Sequence, residues 1–217
     1  MKYYHVKRLQ RTLDNVHAHL KAWRQRSWMN IPEWESHQDK LPEEAEGLFK
    51  VDTRTCGTSG CLAGWGAVDA GATFVAYPGE FLEYVAPKGH LRAVLDGAEE
   101  PQHVRRFARN WFGLGDAAAS AQFDSENSYE RLWALAMLFT GGRLTLPLQV
   151  TEEQAEGAAE QGSDATAAVN FPADVLDEME TMLGIYAPCG VDQLDPEIRG
   201  RALAAARAQA EARAAAL

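Results

Sequence analysis

The chain has 217 residues, is 46% hydrophobic and carries a formal net charge of -10. That length supports one sizeable core, and the ordinary 18 glycines and 9 prolines exclude a fibre or a wholly disordered chain. No run of 18 apolar residues exists, the start lacks the apolar h-region of a signal peptide, and three cysteines do not make a secreted disulfide scaffold, so a cytoplasmic setting is expected.

The charge is uneven. Residues 1–30 carry seven Lys/Arg against one acid, whereas residues 141–198 carry one Arg against twelve acids. The net negative charge argues against broad nucleic-acid binding, and the polarity suggests either attraction within the chain or a surface for a partner.

The first segment is the clearest helix. Val6, Leu9, Leu13, Val16, Leu20 and Trp23 recur at alternating spacings of three and four, which aligns them on one stripe. The basic residues mostly lie off that stripe, as expected for a core helix with a solvated basic face. Binding to a partner or a membrane is the sharper alternative.

Residues 27–55 read as an irregular connection pinned to the core by Trp28 and Trp34, with a binding groove as the alternative. Residues 58–70 predict a short helix capped by Thr58 or Ser59. In TFVAYPGEFLEYV, Pro78-Gly79 fits a type II turn between two strand-forming flanks, which predicts a small hairpin. Pro101 is expected in the first turn of a helix through VRRFARNWF. Asn127 or Ser128 is expected to cap YERLWALAMLF, the candidate central buried helix, which Gly141-Gly142 would stop. DSENSYE lacks the central glycine of a calcium loop and is expected to cap that same helix. Thr151 and Gln154 match a capping box, and Pro172 opens a helix with Val175, Leu176, Met179 and Leu183 on one side. Asp195-Pro196 is a cap-plus-first-turn pair for the last helix.

The expected fold class is therefore mainly α (α+β): a predominantly helical domain over residues 1–195 with one small β-hairpin. A C-terminal Ala/Arg-rich helix over 196–217 would project or serve in self-association.

CGTSGCLAGW, residues 56–65, is the most specific stretch. A zinc site would join Cys56 and Cys61 to Cys189 and a histidine: His37, His90 or His103. A thiol enzyme would use Cys61 near a helix N-terminus, which favours the thiolate, with His90 or His103 as base. The simplest reading is a structural corner. Gly57 and Gly60 give a tight entry, and Cys61, Leu62 and Trp65 turn inward. Gly64 would admit another helix.

VKRLQRTLDNVHAHL, CGTSGCLAGW, LWALAMLFTGG and the threonine-capped TEEQAEGAAE together resemble a group of small actinobacterial and actinobacteriophage proteins with a CGT-x-x-C-x-A-G-W segment. The likeness spans roughly residues 6–160. It implies a phage or actinobacterial origin, and no activity of that group carries over.

No nucleotide-binding glycine motif, H-E-x-x-H or G-x-S-x-G is present. His17 and His19, two apart on a helix, do not face each other as a metal pair would. The expectation is a non-enzymatic accessory protein that binds and modulates a host protein. It would have no cofactor, no membrane insertion and no nucleic acid, and the terminal helices would be candidates for homo-oligomer contacts. The cysteine enzyme and the zinc-stabilised module are the alternatives.

Overall fold

The computed structural model describes residues 1–20, 49–51, 61–76, 92–94, 102–147, 171–184 and 191–216. Among them are seven helices: α1 Tyr3–Ala18, α2 Leu62–Asp69, α3 Val104–Phe112, α4 Asp116–Gln122, α5 Tyr129–Thr140, α6 Phe171–Gly184 and α7 Pro196–Ala214. Four short strands accompany them: β1 Phe49–Val51, β2 Thr73–Ala76, β3 Arg92–Val94 and β4 Gln102–His103. The mainly helical expectation holds.

α5 is the centre. Tyr129 and every residue from Leu132 to Thr140 are buried, because its sequence is apolar nearly all round. Ser128 caps it, its hydroxyl accepting the Arg131 N–H at 3.2 Å. Gly141 and Gly142, both at positive φ, end it. Phe171 at the head of α6 stacks on Tyr129 at 5.0 Å between ring centroids and meets Trp133 edge-on.

On one side α1 packs against α2, α3 and α5, burying the predicted stripe of Val6, Leu9, Leu13, Val16 and Leu20. On the other, α6 and α7 pack on α5 and most extensively on each other. Asp195 caps α7 by accepting the Glu197 N–H at 2.7 Å, with Pro196 in the first turn. α7 buries Ala202, Ala206 and Ala210, a stripe small enough for its backbone to sit close to its neighbours. This helix, expected to project or pair with a second copy, is thus seated along α6 and α5.

Residues 141–147 run between the two ends of the chain. The Gln10 side-chain amide donates to Thr145 O and accepts from Thr145 N, at 2.9 and 2.8 Å. Gln209 does the same one step away, donating to Leu144 O at 3.0 Å and accepting from Leu146 N at 2.7 Å. Two glutamines from α1 and α7 thus satisfy a backbone that belongs to no helix or strand.

The strands form one antiparallel sheet in the order β1-β2-β3-β4. β2 coincides with the TFVAY flank of the expected hairpin, but it pairs with β1 and β3, with Phe74 opposite Ala93. The other flank, FLEYV, lies outside the described residues, as do Pro78-Gly79, Trp23, Trp28, Trp34 and the Thr151 capping box. Two boundaries differ from expectation. Residues 102–103 are strand, so the helix predicted after Pro101 opens only at Val104, capped by His103. α2 opens at Leu62 with Cys61 in the cap position, later than the expected start, while Thr58 and Ser59 lie outside the described residues. α4 was not expected at all: its sequence, DAAASAQ, has no apolar periodicity to announce it.

α2 is tied to α1 through one carboxylate. Asp69, at 7% side-chain exposure, accepts from Arg11 Nε at 2.8 Å, Thr12 Oγ1 at 2.9 Å and Asn15 Nδ2 at 3.2 Å.

Candidate functional site

The first two turns of α1 leave a set of large side chains outside the core. Val6 and Leu9 point inward, so Met1, Tyr3, Tyr4 and Lys7 face out. Tyr3 is 68% exposed, Tyr4 47% and Met1 36%. Among the described residues Val68 is the one other large hydrophobic this open.

Helical spacing pairs these rings with cations, since residues four apart lie on one face. Lys7 Nζ sits 4.7 Å from the Tyr3 ring centre, and the Arg8 guanidinium 5.2 Å from that of Tyr4. Lys2 Nζ approaches Tyr4 to 5.8 Å. Arg8 also reaches across to α3. Its guanidinium lies 3.6 Å from the Trp111 ring centre, and its Nη1 donates to Trp111 O at 3.2 Å. The same carbonyl is 3.1 Å from His5 Nδ1, which therefore carries the proton. Each cation over a ring contributes on the order of 0.5–1 kcal/mol at such exposed sites. Arg8 and His5, both on Trp111, hold the end of α1 against the end of α3. Residues 1–13 and 102–115 contain seven Lys/Arg and no acid. Arg11 and Arg109 are compensated by Asp69 and Asp116. The result is a basic, tyrosine-rich face on a chain of net charge -10.

Of the sequence-predicted site residues, Cys61 and His103 are described. Cys61 is 1% exposed at the entry to α2, with its carbonyl accepting from Trp65 N at 2.9 Å. Leu62 and Ala63 are buried beside it, and Trp65 packs partly into the same core. Gly64 is buried as well, and a close helix approach is shown at Gly66, where an added Cβ would lie 2.5 Å from the Phe112 ring. His103 serves α3: its Nδ1 accepts the Arg105 N–H at 3.1 Å. Cys56, Cys189, His37 and His90 lie outside the described residues. Among the described residues no three His, Cys, Asp or Glu side chains are grouped to hold a metal ion.

Burial makes a specific prediction for Cys61. In a chain carrying Cys56→Ser and Cys189→Ser, an aromatic disulfide reagent should titrate Cys61 only at the rate of unfolding, and at once in denaturant. Rapid labelling of the folded chain would restore the thiol-enzyme reading.

His17 and His19 diverge as expected. His19 Nδ1 bonds Asn15 O at 2.9 Å and its ring stacks on Trp65. His17 Nδ1 lies 2.7 Å from the Tyr129 hydroxyl, with Asp14 nearby. The order Asp14, His17, Tyr129 has the look of a proton relay, but Tyr129 is fully buried. Burial holds His17 below its usual 6.5, against the opposing pull of Asp14. The unfolded chain therefore takes up that proton first. Stability from the neutral ring is present above pH 6.5 and is lost as pH falls through 6.5 towards the folded-state value. Burial also raises Asp14, Glu130 and Asp174, whose contributions are greatest in acid and decline as pH rises. Urea unfolding at a series of pH values should thus show His17→Gln gaining on the parent chain below pH 6.5. A constant difference between the two would contradict the assignment.

No described helix is long and apolar enough to cross a membrane. Comparison with protein-family models, curated proteins and solved structures matches nothing to this chain.

The basic helix was legible in the sequence. Tyr3 and Tyr4 were missed, although their spacing to Lys7 and Arg8 was a readable signal. The Arg8–Trp111 contact spans 103 residues and left no such mark.

Proposed function

We propose that the chain is an accessory protein of phage or actinobacterial kind that acts by binding, and thereby modulating, a host protein. One observation carries this reading: large side chains, Met1, Tyr3 and Tyr4, lie exposed together on a face braced by cation–π contacts. Tyrosine and arginine are the side chains that recur at the energetic centres of protein interfaces, whereas a solvated helix end has no need of them. The likeness of CGTSGCLAGW and its flanking helices to actinobacterial and phage proteins supports the biological setting.

The test is capture of a protein from an actinobacterial lysate by the immobilised full chain, then reconstitution of the pair from purified components. One protein enriched in every replicate and binding when purified is the expected result. No enrichment, together with no self-association, would remove the proposal.

A further inference from the structure

The geometry points to an acidic segment of a protein, interleaved with apolar side chains, as what the α1–α3 face binds. This rests on the protein-binding reading and adds the chemistry of the partner.

The argument is one of charge and ring geometry. Lys2, Lys7 and Arg8 lie among Tyr3, Tyr4 and Met1, and no acid occurs before Asp14. Lys2 and Lys7 have no ion pair among the described residues. An acidic partner would supply those pairs, while its apolar side chains cover the exposed rings and the methionine. Charge at contact range weighs most, because screening at physiological salt sets in over about 8 Å. The overall -10 then acts as a filter, repelling acidic surfaces that approach elsewhere.

The same contacts disfavour two other occupants. Single-stranded nucleic acid binds basic aromatic surfaces by stacking bases on ring faces. Here Tyr3 has Lys7 against a face, and Tyr4 has Lys2 and Arg8. A cation therefore already occupies ring area on each tyrosine, which leaves less of it for a stacked base. An anionic membrane meets the whole charge of the chain over a broad area, and that charge is negative.

The test is fluorescence anisotropy with the full chain and four labelled probes. These are a peptide alternating glutamate with leucine and phenylalanine, the same peptide with lysine for glutamate, a dT oligonucleotide, and phosphatidylserine vesicles. The acidic peptide should bind, and tighter than the other three. Lys7→Glu and Tyr3→Ser should each weaken it about tenfold or more, while stability falls by no more than the roughly 0.5–1 kcal/mol of the lost cation–π pair. Glu211→Gln, on the exposed side of α7, should leave binding unchanged. Equal binding of the lysine peptide, tighter binding of the oligonucleotide or vesicles, or no response to Lys7→Glu would each overturn the proposal. So would a solution mass above the monomer that Lys7→Glu and Tyr3→Ser abolish, since the occupant is then a second copy. If Lys7→Glu/Tyr3→Ser still captures the same host protein, the binding function stands and this face is not its site. If the acidic peptide binds as expected while the parent chain captures nothing, the chemistry of the face stands and the host-protein reading fails.

Discussion

Gly142→Ala is expected to be among the most damaging single substitutions in the described structure, lowering stability by roughly 3 kcal/mol. Two costs combine. Gly142 has φ +77, a region where a side chain costs about 1–2 kcal/mol. An added Cβ would also lie 2.6 Å from the Ala205 Cβ, 3.0 Å from Arg201 O and 3.1 Å from the Ala202 Cα. Two of those three atoms are backbone of α7, so no rotamer change relieves the clash, and overpacking of this kind costs about 1–3 kcal/mol. A fall in melting temperature of roughly 6–12 °C follows for a chain of this size. Gly200→Ala is the matched control. It lies exposed within the same helix, with nothing within 4 Å of an added Cβ. It should raise stability by about 0.5–1 kcal/mol through helix propensity alone. Thermal melts of the two variants against the parent chain check both signs. A neutral Gly142→Ala would mean that α7 does not seat on the end of α5.

Asp69→Ala should cost about 2–3 kcal/mol. A nearly buried carboxylate receives donors from Arg11, Thr12 and Asn15, one turn of α1 gathered on the last residue of α2. Removing it leaves the buried Thr12 and the half-buried Asn15 without this acceptor for their donors, and each such loss costs on the order of 1 kcal/mol or more. Arg11 is 56% exposed and finds water instead, so Arg11→Ala should cost less than about 1 kcal/mol. Asp69→Asn preserves shape but turns one acceptor into a donor facing donors, and should fall close to Asp69→Ala. Urea titrations of the three variants check the order. Arg11→Ala matching Asp69→Ala would shift the weight from the buried hydrogen bonds to the ion pair.

What could be read from the sequence was what local chemistry dictates. The stripe of α1, the all-round apolar α5, Ser128 as its cap, the two stopping glycines and the Asp195-Pro196 start of α7 all depend on residues within a turn or two. The strands β1, β3 and β4 are two or three residues long, too short to show alternation, and exist through pairing with distant segments. α4 is mostly alanine and held by its neighbours. Nothing near Asp69 in the sequence announces its role, because its three donors lie 54 to 58 residues away. The candidate face divides the same way. Its charge was visible in the first thirty residues, while the tryptophan that braces it came from α3. The cysteine stretch, conspicuous for its composition, enters the described structure as the buried start of α2.

The strap at 141–147 bears on how fast this molecule assembles. Its glutamine clips join residues 135 apart on one side and 65 apart on the other. Helical proteins with mostly neighbouring contacts fold in microseconds to milliseconds, and closing long loops slows that step. α5 can form early from its own residues, but the strap beyond it is secured only when both α1 and α7 have arrived. Mixed α/β proteins, rather than simple bundles, are therefore the right comparison for its folding rate.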